Sequence, residues 1–278
     1  MTGKIVVPES YIECFQCVEL AAKEAGTKYM LVGATARDWL FQSAGIASER
    51  LTTDIDISLC ADSWESFEKF KILLLNSNFE TNPANQHRFT YTTQGYGKVF
   101  LDIVPYRGIN DPNDEISWPP DGTAKMNVLG FQEAGESGLE LSTQTGLSIP
   151  VVSVPGLCLL KLIAWLDRPR DIRTKDAQDI KFILGNYESL DGVREAAFDE
   201  GFVERYSFDL DLACAAKLGM EVRKISADST FDFIVSKLFA QKDEPDTEQL
   251  AMEMSNREEL QAQQSHETLL AFRDGFLG

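Results

Sequence analysis

The chain has 278 residues, 44% of them hydrophobic and 25% charged, the balance of a globular protein with enough apolar material for one large or two modest domains. A net charge of −18 excludes the broad basic surface that grips nucleic acid non-specifically, so any RNA or triphosphate has to be met locally or through metal ions. No apolar run reaches the ~18 residues of a membrane span, and the N-terminal MTGKIVVPES has no basic-then-apolar leader; a cytoplasmic location and no membrane partner are expected.

Residues 11–25 carry apolar positions at helical spacing and include Cys14 and Cys17, two of five cysteines. No second pair and no histidine spacing completes a zinc site, so both thiols are expected on or near the buried face of that helix. A strand (29–33), a helix (35–43), a strand (54–60) and a helix (62–76) follow. The next strands are RFTYTT (88–93) and KVFLDIVPY (98–106), joined across a turn at QGYGK. Arg107 to Gly122 reads as loop, with its Asn-Asp-Pro-Asn-Asp and Trp118-Pro-Pro-Asp-Gly runs, and ELSTQTGLSIPVVSV is again β-like. Then the character changes. Ser153 is a candidate N-cap with Pro155 in the first turn of a helix, and a second helix starts at Thr174 as N-cap and stops before Gly185. Most of the rest reads as helical, with an acidic connection at 241–249 before a final polar helix. The expectation is an α+β chain: a mixed β-sheet flanked by helices over 1–150, and a mostly helical domain over 151–278 that contributes to the active site.

Strand residues i and i+2 project to one face, so Asp54 and Asp56 point together while Ile55 and Ile57 point to the core. Two carboxylates so placed repel unless a cation lies between them. The same alternation in FLDIVPY presents Asp102 from another strand. If the strands are neighbours, three oxygen donors converge in a way that suits Mg²⁺ and a phosphate-bearing substrate; the alternative is a solvated edge strand. Gly33, between strand and helix, allows an anion close to free backbone N–H groups, and Thr35 offers a hydroxyl.

Gly33-Ala34-Thr35-Ala36-Arg37-Asp38, then Thr53-Asp54-Ile55-Asp56, then Asp102, resemble the three-part signature of the polymerase-β-type nucleotidyltransferase superfamily. The Arg37-Asp38 pair is similar to that of the tRNA CCA-adding and poly(A) polymerase branch. Lys161-Leu-Ile-Ala164, Arg168 and Lys175-Asp176-Ala-Gln-Asp179 resemble the helical motif of the AbiEii/AbiGii abortive-infection toxins of type IV toxin–antitoxin systems, as do WPPDG (118–122) and MNVLGF (126–131). The resemblance spans roughly residues 20 to 190; the family's usual Gly-Ser is Gly33-Ala34 here.

The resemblance implies a nucleotidyltransferase fold and transfer of NMP from an NTP to an acceptor hydroxyl. Asp54, Asp56 and Asp102 would hold two Mg²⁺, with Mn²⁺ as a substitute, and Asp102 would act near the attacking hydroxyl. Gly33, Ala34, Thr35, Arg37, Asp38, Lys161 and Arg168 would bind the nucleotide. Lys161, in the apolar run LCLLKLIAWL, either reaches a phosphate or sits at the edge of a buried face. Asp176 and Asp179 share a helix face and either orient Lys161 or the acceptor, in catalytic roles, or are first-turn acids favoured by the helix dipole. Residues 161–181 hold a local basic surplus, either a contact for triphosphate or an RNA end or a solvated helix–loop–helix surface. Neither His87 nor His266 lies near a motif. The implied partners are an NTP, tRNA or another RNA as acceptor, and a cognate antitoxin. Two other readings stand beside this one: the same chemistry on a protein side chain or an aminoglycoside-like small molecule, or an inactive nucleotide-binding regulator.

Overall fold

The N-terminal helical pattern forms α1 (Glu9–Ala25), which buries Ile12, Cys14, Phe15 and Val18 on one face and ends on Gly26 in the left-handed region. Cys14 is buried and Cys17 partly so; burial pushes the Cys14 thiol well above its usual range, so this pair serves packing. In the computed structural model the described residues are 5–47, 54–82, 85–93, 95, 97–239 and 247–278. They form two compact units, Thr2–Val152 and Ser153–Gly278.

In the first unit β1 (Lys28–Val32) runs directly into α2 (Gly33–Gln42), and β2 (Asp54–Ala61) follows. In α3 (Trp64–Leu75) the cap is Ser63, whose side chain accepts from the Ser66 N–H in a capping box; this displaces the helix start from the expected residue 62. Next come β3 (Phe79–Asn82), β4 (Asn85–Thr92) and β5 (Lys98–Arg107). The hairpin turn expected at QGYGK includes residues 94 and 96, which lie outside the described residues. The stretch read as loop carries β6 (Glu115–Ser117), paired with β7 (Lys125–Asn127), and α4 (Phe131–Glu136) comes before β8 (Leu139–Ser142) and β9 (Ser148–Val151). Sequence reading missed β3, β6, β7 and α4 because elements of three to six residues hold too little periodicity to stand out.

Among the described residues the main sheet has seven strands, in the order β3-β4-β5-β2-β1-β9-β8. It is mixed: β2 runs parallel to β5 and β1 parallel to β9, while the other pairs are antiparallel. The period-two pattern sets its two faces. Ile55, Ile57, Leu101 and Ile103 are wholly buried, while Asp54, Asp56 and Asp102 occupy the intervening positions.

The second unit is helical: α5 (Val154–Asp167), α6 (Thr174–Asn186), α7 (Val193–Asp199), α8 (Phe202–Arg205), α9 (Leu210–Ile225), α10 (Asp228–Ile234), α11 (Thr247–Met254) and α12 (Glu259–Leu277). Ser153 caps α5 as expected, accepting from the Gly156 N–H at 3.1 Å, with Pro155 in the first turn. In α6 the expected limits shift. Arg173 is the N-cap and Thr174 the first helical residue, and Gly185 lies inside the helix, where packing of the apolar face outweighs the modest propensity loss of a glycine. Residues 241–246 of the expected acidic connection lie outside the described residues. Close packing of α9 on α12 requires a glycine, since a Cβ on Gly275 would come within 2.6 Å of the Ala216 carbonyl carbon.

Candidate active site

Three adjacent strands, β4, β5 and β2, bring Arg88, Asp102 and Asp56 to one level, with Asp54 one step further along on the same face. Asp56 on β2 stands beside Asp102 on β5, and Asp102 stands opposite Arg88 on β4; Asp54 lies two residues before Asp56 on the same face. Arg88 bridges the acids. Its Nε donates to Asp102 Oδ1 at 2.8 Å and its Nη2 to Asp102 Oδ2 at 2.6 Å, a two-pronged pairing, and Nη2 also donates to Asp54 Oδ2 at 2.8 Å. Hydrogen bonding to Asp102, reinforced by both carboxylate charges, raises the Arg88 pKa above its usual value. The cation that the paired carboxylates call for is thus supplied, in this conformation, by the chain itself.

Sequence reasoning missed Arg88, and the signal was available. Four residues back from Thr92 and four forward from Lys98, the pair that flanks the hairpin turn, the antiparallel register sets Arg88 opposite Asp102. It also placed His87 away from every motif, which the structure corrects: His87 is held below its usual pKa by burial, with Asp102 opposing and Arg88 adding to the shift. The His87 ring lies 5.9 Å from that of Trp118, which is buried against Trp64 and Phe67. Trp118 of the WPPDG run therefore supports the strand that carries Arg88. Tyr11 of α1 also belongs to these surroundings; burial raises its pKa, and the Asp54 charge raises it further.

At the β1–α2 junction Gly33 has φ +72°, and a Cβ on it would lie 2.8 Å from Asp56 Cγ. Only a glycine permits this backbone path, and its absent side chain is what makes room for Asp56. Helix α2 starts from Val32 with no side-chain cap on its first turn, where Ala34 stands in place of a hydroxyl residue. Thr35 is almost wholly buried and donates its hydroxyl hydrogen to the Asp54 carbonyl oxygen at 2.8 Å, so it ties α2 to β2 rather than offering that hydrogen to a phosphate. Arg37, expected to bind nucleotide, is also buried, and its Nε donates to Asp38 Oδ1 at 2.8 Å.

The helical unit gathers the other candidates. Lys161 Nζ lies 3.1 Å from Asp176 Oδ1 and 2.6 Å from Asp179 Oδ2, and Arg168 Nη1 lies 2.6 Å from Asp176 Oδ2. Both aspartates are buried to 1% or less, whereas Arg168 is half-exposed. Both acids thus pair with Lys161. Of the basic residues in 161–181, Arg173 is buried against Glu253 outside the segment, which takes one charge from the surplus, while Lys161 and Arg168 pair with Asp176 and Asp179 of the segment itself.

Carboxylate oxygens are the donors that Mg²⁺ prefers, and the strand register puts three of them on one face. Among the described residues no group of three or more His, Cys, Asp and Glu is drawn together closely enough to hold a metal ion, and it is the Arg88 guanidinium that joins Asp54 to Asp102. The donor set fits the metal in kind, and its spacing is that of acids closed on an arginine.

Residues 18–264 match the family described as nucleotidyl transferase AbiEii toxin, type IV TA system. No curated protein matches the chain. Among solved structures the chain is similar to an antigenic nucleotidyltransferase-like protein from Paracoccidioides brasiliensis, at 17% identity over 73% of this chain and 91% of that one, TM-score 0.41. It is similar to the lincomycin-bound lincosamide antibiotic adenylyltransferase LnuA at 21% identity, over 64% of this chain and 98% of that one, TM-score 0.37. It is similar to the Thermotoga maritima CCA-adding enzyme complexed with tRNA at 11% identity, over 98% of this chain and 80% of that one, TM-score 0.29.

Proposed function

The chain belongs to the AbiEii nucleotidyltransferase family, and from that membership we propose that it is a magnesium-dependent enzyme transferring NMP from an NTP to an acceptor hydroxyl of tRNA or another RNA, as the toxin of a toxin–antitoxin pair. The observation that carries the reading is the register that sets Asp54, Asp56 and Asp102 on one face beside the Gly33 turn. These three acids are the residues that would hold magnesium, as two ions. When bound, the metal would supply charge neutralisation at the α-phosphate and at the departing pyrophosphate. Asp102, on the strand next to the pair, would orient the attacking hydroxyl and take up its proton. The backbone N–H groups of the first turn of α2 and the axial dipole of that helix would receive the triphosphate, with no side-chain hydroxyl from Ala34.

Labelled NTP incubated with cell lysate and Mg²⁺, with each of the four nucleotides in turn, tests this reading. Nuclease-sensitive label that disappears with Asp54→Ala and with Asp56→Ala is the expected result; incorporation unaffected by either change would refute it. The net charge of −18 favours a second acceptor class, a basic protein or a cationic small molecule. Protease-sensitive label, or label of small-molecule size, in the same assay selects that reading.

A further inference from the structure

We propose that Arg88 is a gate on metal binding: it serves as resident counter-ion to Asp54 and Asp102 and must release both before a divalent cation can be bound. The inference rests on the reading above, that these acids take a divalent metal. Both oxygens of Asp102 and one of Asp54 accept hydrogen bonds from the Arg88 guanidinium at 2.6 to 2.8 Å. A guanidinium and a divalent cation repel each other, so the acids do not serve both at this separation. An arginine stays protonated at any working pH, which leaves movement of the side chain as the way to vacate the site. The surroundings permit that movement. Arg88 is 30% exposed and its guanidinium carbon lies 5.7 Å from the centroid of the exposed Phe100 ring, so its own charge can swing toward solvent, while Asp102, 14% exposed, is left for the incoming cation to neutralise. The fork also has a benefit when metal is scarce: it offsets the mutual repulsion of acids on neighbouring strands and keeps them at the spacing the register sets.

The test is Mn²⁺ binding to nucleotide-free protein, followed by the electron paramagnetic resonance signal of the free ion. Arg88→Met is expected to bind Mn²⁺ at least ~10-fold more tightly than the wild type, because the acids no longer have to be freed first. Arg88→Lys, which keeps the charge but loses the fork, should fall between them, and adding Asp54→Asn should weaken binding in every background. Equal or weaker binding by Arg88→Met, with Asp54→Asn still abolishing it, overturns the gate and leaves the metal reading intact. Binding by none of these proteins, or binding indifferent to Asp54→Asn, overturns the metal reading and the gate together. A readout on the wild-type chain guards against misfolding of the variants: the Arg88 Nε–H resonance should shift on titration with Mg²⁺, and a resonance that stays in place while Mg²⁺ binds refutes the gate.

Discussion

Gly33 and Asp56 depend on each other at the level of single atoms. The chain turns from β1 into α2 with φ +72° at Gly33, and a methyl group there would overlap the Asp56 carboxylate. Gly33→Ala therefore adds about 1–2 kcal/mol of backbone strain and pushes one of the three acids out of place. The expected outcome is a fall of roughly 100-fold in kcat/KM for nucleotide incorporation and a Tm lower by roughly 2–8 °C. Steady-state kinetics and differential scanning calorimetry check the two effects separately, and an undisplaced Tm with full activity would contradict the packing argument. Thr35 shows the opposite case. Its type suited phosphate binding, yet its hydroxyl hydrogen is bound to the Asp54 carbonyl, a partner nineteen positions along the chain that no local pattern reveals.

Between elements, buried charge does the joining. Lys161 of α5 meets Asp176 and Asp179 of α6, and both acids are sequestered from water. Removing one member of such a cluster leaves uncompensated buried charge, so Lys161→Met is expected to lower unfolding free energy by about 3–5 kcal/mol in urea titration. A change below about 1 kcal/mol would mean that the acids are not held as charges by Lys161. A second cluster links α5 and α11. Glu253 accepts from Arg173 Nη2 at 2.8 Å, from Trp165 Nε1 at 2.7 Å and from Gln249 Nε2 at 2.8 Å, and the Arg173 guanidinium lies 4.0 Å over the Trp165 ring. Burial alone would raise the Glu253 pKa, but the donors outweigh it and hold the carboxyl below its ordinary value near 4.5. A depressed folded-state pKa contributes stability that is present above the unfolded value and lost as pH falls through the folded one. Glu253→Gln should therefore lower Tm relative to the wild type at pH 7, and the gap should close as pH falls below about 4.5. Tm measured from pH 7 down to pH 3 decides this; a gap independent of pH would show that the carboxylate charge contributes nothing.

For the whole molecule, 44 acidic against 26 basic residues repel a polyanion, and several of the basic side chains are tied up in internal pairs. Random single-stranded RNA without divalent cations is thus expected to show no saturable binding below ~10⁻⁴ M at physiological salt, by fluorescence anisotropy; micromolar binding would reveal a local basic surface. No helix among the described residues is long and apolar enough to cross a membrane. What the sequence determined by itself rests on short-range rules. Period-two alternation in DIDIS and FLDIVPY set the sheet faces and the three acids, the glycine after YMLV marked the strand-to-helix turn, and Ser153 with Pro155 marked the start of α5. The family signature followed from those same segments, and the family match extends past residue 190 into helices in which no motif stood out. Only the tertiary structure decided which charges meet. Counting from the hairpin turn sets Arg88 opposite Asp102, but Arg88 also reaches Asp54 across 34 positions and Arg173 reaches Glu253 across 80, pairings that only strand register and helix packing bring together.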